Sequence, residues 1–230
     1  MWDRKQLKAQ GKAAFKANYW RSVGAALLLA VATGAGTAAS GRATTSNQEL
    51  ASQLNSLSEE QLFAVIAIVL SVVGVILLFS AIASIFILKP LEVGTRRFFL
   101  VNGEEPAELG ELAYGFRSGY LHTVGTMFLR DLFLALWACL FFIPGIVKAY
   151  SYRLVPYILA EHPEMSAQET ITLSRQLMNG HKWNAFVLDL SFLGWEIVSA
   201  ITLGLAGVFF VNPYVAATDA ELYRVLREGR

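Results

Sequence analysis

From Gln61 to Leu88 the chain reads "QLFAVIAIVLSVVGVILLFSAIASIFIL", with no ionisable side chain. The run exceeds the roughly 20 residues a helix needs to cross about 30 Å of hydrocarbon. Five further apolar stretches lie at about 22–39, 120–143, 145–160, 184–201 and 207–223. Pro144-Gly145 and "TLGLAG" separate the last two pairs, which predicts antiparallel hairpins with these breaks as their outer turns. The segments between are amphipathic. "SAQE" at 166–169 has the Ser-x-x-Glu spacing of a capping box and Gly180 can adopt the left-handed conformation that ends a helix, so a helix is predicted over 167–179. Its polar and apolar positions suit the membrane interface, with Trp183 as anchor. "EEPAELGELAYGF" plays the same part near 106–116, and residues 1–21 form a basic amphipathic helix, too long for the basic region of a signal peptide. The predicted fold is an all-α, polytopic transmembrane helix bundle of about six spans.

Lys and Arg collect in cytoplasmic loops. With both termini cytoplasmic, six spans place all but four of the 19 cations inside. Arg42 and Lys148 fall outside, and Arg130 and Arg153 fall within the membrane. A five-span version, in which 145–160 does not cross, stays open because that stretch is short and holds two cations.

A shift of 58 residues superposes Glu111 on Glu169, Arg117 on Arg175, Asp131 on Asp189 and Trp137 on Trp195. Downstream, Pro156-Tyr157 corresponds to Pro213-Tyr214, and Pro90 ends a fainter first copy. The chain therefore reads as one integral membrane domain over 1–230: a basic helix over 1–21, a first hairpin over 22–100, a second unit over 104–160 and a third over 166–226. Each unit is an amphipathic helix plus a transmembrane hairpin. Each crosses twice, so all copies run the same way about an axis along the membrane normal.

Ionisable groups at the bilayer centre cost on the order of 3 kcal/mol each, so they need partners. Arg130, Asp131, Arg153, Asp189 and Glu196 form the candidate intramembrane charge network. At about 1.5 Å per residue from the outer turns, Arg153 and Glu196 share one level, while Arg130, Asp131 and Asp189 share another. The expected pairs are Arg153 with Glu196, and Arg130 with Asp189 or Asp131. Lys148 lies near the outer rim and can snorkel.

Composition agrees with this reading and narrows the function. Hydrophobic residues make up 55% and charged residues 16%, with mean hydropathy +0.46. The balance of 19 basic and 18 acidic residues offers nucleic acid no positive field. Cys139 is the single cysteine, and His122, His162 and His181 have no metal-ligand spacing. No catalytic residue, cofactor site or metal site is predicted. Membrane lipids are the expected partner, with a homo-oligomer or another membrane protein as a further one, since Ala26, Ala30, Gly34 and Ala38 recur every four residues.

At "PGIVKAYSYRLVPYILAEHPEMSAQETITLSRQLMNGHKW", "LSFLGW", "TLGLAG" and "NPY" the chain resembles the bacterial integral membrane family catalogued as domain of unknown function 975. The resemblance implies a multi-pass protein of the bacterial cell membrane and brings no catalytic residues with it. Glu196 departs from the apolar character it implies after "GW". The expected function is a non-enzymatic structural or accessory membrane component. The alternatives are a transporter or channel using the charged layer, and an accessory domain for lipid metabolism or export.

Overall fold

The computed structural model describes residues 3–32, 58–117 and 119–229, and among them every regular element is helical. Helix α1 spans Arg4–Ala17, capped by the Asp3 side chain, and α2 spans Tyr19–Ala32. The later part of the first expected span, with Gly34 and Ala38, and the loop residue Arg42 lie outside the described residues. Helix α3, Glu59–Ala83, starts in a capping box of Ser58 and Gln61. It passes through a π turn, Ser84–Leu88, into α4, Lys89–Asn102. A 3-10 turn at Leu109–Ala113 and α5, Tyr114–Arg117, precede α6, Tyr120–Leu140. Then come α7, Phe142–Ser151, and α8, Val155–Glu161. Helices α9, Ala167–Leu177, α10, Lys182–Leu190, and α11, Leu193–Ile201, follow. A second π turn, Gly207–Val211, leads into α12, Asn212–Glu228.

The locally coded features are where the sequence puts them. Ser166 and Glu169 close a reciprocal capping box, and Gly180 sits at φ +78°. Leu203 and Gly204, at φ 54° and 87°, turn the chain inside "TLGLAG".

Elsewhere the backbone departs from expectation. The turn of the α6–α7 hairpin is Phe141, which is extended, rather than Pro144-Gly145. Pro144 instead lies in the first turn of α7, where its missing N–H costs no intrahelical bond, and Gly145 packs against the backbone of Ala138. The 145–160 stretch is no single helix, because the chain turns at Tyr152–Leu154. Nor does Pro90 end its helix: Ile66–Asn102 runs through it as 37 residues.

Proline can stay inside that helix because its lost hydrogen bond is replaced. Pro90 has no N–H for the carbonyl of Phe86, and the Tyr120 hydroxyl donates to that carbonyl at 2.7 Å. The same device follows the second π turn: Pro213 leaves the carbonyl of Phe209 free, and the Tyr19 hydroxyl donates to it at 3.1 Å. In both places the π turn directly precedes the Lys-Pro or Asn-Pro pair.

Burial divides the molecule. Helix α3 shows its apolar side chains outward from Ile66 to Ile82, as do the C-terminal part of α6, the start of α7 and most of α11. Among the described residues three helical stretches are long and apolar enough to cross a membrane: Ile66–Asn102, Tyr120–Leu140 and Lys182–Ile201, the last made of α10 and α11 with the interruption at Ser191–Phe192 between them. The core lies where α4, α8 and α12 converge, with Phe98, Tyr157, Ile158 and Tyr223 fully buried and the rings of Tyr157 and Tyr223 stacked at 5.4 Å. Each such side chain stabilises the fold by roughly 1.5–3 kcal/mol relative to exposure. Each proline-led helix also packs on an amphipathic segment: α4 on 109–117, α8 on α9, and α12 on α1. The apolar faces of α1 (Leu7, Phe15) and α9 (Ile171, Leu177) are therefore buried against protein. The apolar face of α9 therefore packs on this core rather than standing free, while its polar residues Glu169, Thr172 and Arg175 stay exposed.

Candidate functional site

Helix α4 is the hub of the charged layer. Because the helix continues past Pro90, it presents Lys89, Glu92 and Arg96 at three- and four-residue spacing on one side. Lys89 Nζ reaches Asp131 at 2.6 Å and Glu92 at 3.7 Å. Arg130 donates to Asp131 at 2.8 Å and, from its two terminal nitrogens, to the Glu92 carboxylate at 3.3 and 3.4 Å. Arg96 donates to the Tyr157 hydroxyl at 3.1 Å and lies 3.6 Å from Asp219.

The second half is built around Arg153. Its guanidinium donates to both oxygens of Asp189, at 2.7 and 2.8 Å, and to Asp219 at 2.6 Å. The Tyr150 hydroxyl donates to the same Asp189 at 2.8 Å. Arg153 stands in the short turn between α7 and α8, so it can reach α10 and α12 together. The assembled layer sets Lys89, Arg96, Arg130 and Arg153 against Glu92, Asp131, Asp189 and Asp219. Positive and negative charges are equal in number, as burial demands.

The expected Arg153–Glu196 pair is not formed. Glu196 faces outward on α11 with no ion-pair partner among the described residues, while Arg153 is held by Asp189 and Asp219. The level argument assumes straight helices. The chain instead breaks at Tyr152–Leu154 and at Ser191–Phe192, shifting depth and rotation in both. Arg130 takes Asp131, one of its two expected partners, and adds Glu92.

Lys89, Glu92, Arg96 and Asp219 escape the sequence reading. A signal for them exists: Arg96 and Asp219 each lie six residues after their proline, Pro90 and Pro213. Beside the Lys89–Asp131 pair, a cleft of about 340 Å³ opens between the first π turn and α6, lined by Ser84, Ile85, Phe128 and Leu132. No group of three or more His, Cys, Asp or Glu side chains is placed to hold a metal ion among the described residues. Lys148 lies 4.5 Å over the ring of Trp137, half-buried as a snorkelling side chain would be.

Fold and site define an all-helical protein with three membrane-length apolar helical stretches and a neutralised charge layer where they meet a buried core. The family model described as "Protein of unknown function (DUF975)" matches residues 140–230, as the resemblance implied. That stretch carries Arg153, Asp189 and Asp219, while Lys89, Glu92, Arg96, Arg130 and Asp131 precede it. No curated protein and no solved structure matches the chain.

Proposed function

We propose that the protein is a multi-pass, non-enzymatic component of the bacterial cell membrane, with both termini cytoplasmic, whose charged layer locks helices together. The observation that carries this reading is the one-for-one neutralisation of the layer, with Arg153 held by two carboxylates at 2.6–2.8 Å. Intramembrane charges pair with one another in structural and transport proteins alike, so the weight falls on how completely the pairs are made. Here the guanidinium spends three hydrogen bonds on protein.

The same proposal extends to the internal repeat. Three units, the first made of the basic helix 1–21 with the hairpin 22–100 and the others spanning 104–160 and 166–226, stand in a ring about an axis along the membrane normal. What supports this is the cyclic order of packing: α4 of the first unit meets 109–117 of the second, α8 of the second meets α9 of the third, and α12 of the third meets α1. Two tyrosine caps obey the same order, Tyr120 on the first unit's Phe86 and Tyr19 on the third unit's Phe209.

Water access tests the structural role. In a Cys139→Ser background, Ser151→Cys, a buried position two residues from Arg153 that leaves the ion pairs intact, is expected to resist membrane-impermeant thiol reagents in sealed vesicles. Reconstituted protein is expected to leave a pH gradient intact. Rapid labelling from one side, or a leak abolished by Arg153 or Asp189 substitutions, would support the transport reading instead.

A further inference from the structure

Helix α1 carries its cations in a stripe: Arg4, Lys8, Lys12 and Lys16 recur every four residues, Trp20 continues the series and Lys5 flanks it. The stripe stands about 100° around the helix from the buried positions Leu7, Gly11 and Phe15. Lys8 shows where it points. Its Nζ donates to the carbonyl of Ser191 at 3.2 Å and lies 4.2 Å from the centre of the Phe192 ring, in the break between α10 and α11. Around that break the surface is apolar and outward-facing, with Leu190 and Leu193 each 54% exposed and Trp183 71%. Trp20, at the far end of the stripe, is 75% exposed.

The cations thus border an apolar belt, and protein does not neutralise them. Among the described residues Arg4, Lys5, Lys8, Lys12 and Lys16 form no ion pair, although most arginines of the core do. Lys8 has two N–H donors left beyond its bond to Ser191. Partial burial, and then the charge of Arg4, lower its affinity for a proton, which an adjacent anion would restore.

We propose that the α1 stripe and the α10–α11 break together bind the phosphate of an anionic phospholipid headgroup. Lys8 and Lys12 face the phosphate, Arg4 and Lys16 flank it, and the acyl chains lie along the outward side of α10 and α11. Trp20 and Trp183 are placed as interfacial anchors on the two sides. Each cation near an anionic surface adds enough attraction for roughly a five-fold change in affinity.

The inference rests on the membrane reading above, which fails separately if alkaline carbonate extracts the protein without detergent. The test reconstitutes the full chain in nanodiscs of mixed phosphatidylcholine and phosphatidylglycerol, and counts the lipids retained in detergent by native mass spectrometry. Phosphatidylglycerol is expected to be retained selectively. Lys12→Gln with Lys16→Gln, both at exposed positions, should lower that retention by more than ten-fold. Arg175→Gln, on the exposed face of α9, should leave it unchanged. Equal retention of both lipids, an equal loss in Arg175→Gln, or an unaltered double variant would overturn the proposal. Displacement of the lipid by equimolar inorganic phosphate would reassign the site to free phosphate and overturn it as well.

Discussion

Arg153 and Asp189 face each other through two parallel hydrogen bonds, at 2.7 and 2.8 Å, across the breaks that interrupt their helices. The pair is only partly shielded, Asp189 being 36% exposed, but Asp219, at 10%, shares the same guanidinium. Arg153→Leu would leave both carboxylates without their main partner. Breaking a buried pair costs about 3–5 kcal/mol, and the exposure of Asp189 argues for the lower end. Folded yield and melting temperature in detergent are expected to fall sharply. Arg153→Leu combined with Asp189→Asn should lose less than the two single changes together. Glu196→Gln, which breaks no ion pair, should change stability by less than about 0.5 kcal/mol. A wild-type melting temperature for Arg153→Leu would show that the pair locks nothing.

Local chemistry was legible in the sequence, and long-range pairing was not, for a reason these residues make plain. The capping box of Ser166 and Glu169 and the left-handed Gly180 depend on neighbours within one turn, so spacing alone reveals them. The partners of Arg153 depend on helix depth and rotation. Both change at breaks that a uniformly apolar pattern does not mark. The burial of α12 was hidden for a related reason. Its apolar positions resemble a lipid-facing span, yet the helix is buried along most of its length, so Asp219 lies among core residues. Proline misleads in the opposite direction at Pro90, because the side chain that makes it tolerable, Tyr120, is thirty residues away.

That tyrosine supports a second prediction. Tyr120→Phe removes the donor to the Phe86 carbonyl and should cost about 1 kcal/mol, as should Tyr19→Phe at Phe209. Pro90→Ala supplies a backbone N–H in place of the hydroxyl. In that background Tyr120→Phe should cost much less, and a double-mutant cycle on melting temperatures measures the coupling. Strict additivity would mean that the hydroxyl does not compensate for the proline.

Two glycines report how closely α4 approaches the segment that follows it. A Cβ on Gly94 would stand 2.0 Å from the Leu112 carbonyl oxygen, and one on Gly115 would stand 2.1 Å from that of Pro90. Both obstacles are backbone, so neither can swing away. Gly94→Ala and Gly115→Ala are each expected to destabilise by about 1–3 kcal/mol or more. Gly24→Ala, with open space at the same position, should be neutral or better, because alanine favours the helix. The ranking can be read from melting curves of the three variants, and equal curves would contradict the tight packing of α4 on 109–117.

The start of α9 should respond to acid. The Glu169 carboxylate accepts from the Ser166 hydroxyl at 2.6 Å and from the Ser166 N–H at 3.0 Å, and these two bonds hold its pKa below the ordinary glutamate value. A depressed carboxylate pKa means that the unfolded end binds protons more readily than the folded one. The capping contribution is therefore complete above the ordinary glutamate pKa and fades as pH falls through the lower, folded value. Because the group is fully exposed, the effect should be local. Amide exchange at Thr170 and Ile171, corrected for its intrinsic pH dependence, is expected to accelerate over that acidic window while the core amides of α12 stay protected. Glu169→Gln keeps an acceptor for Ser166 but cannot titrate, so its exchange should lose this pH dependence. If the variant kept the same acid response, the transition would belong to another group and the capping box would not be its cause.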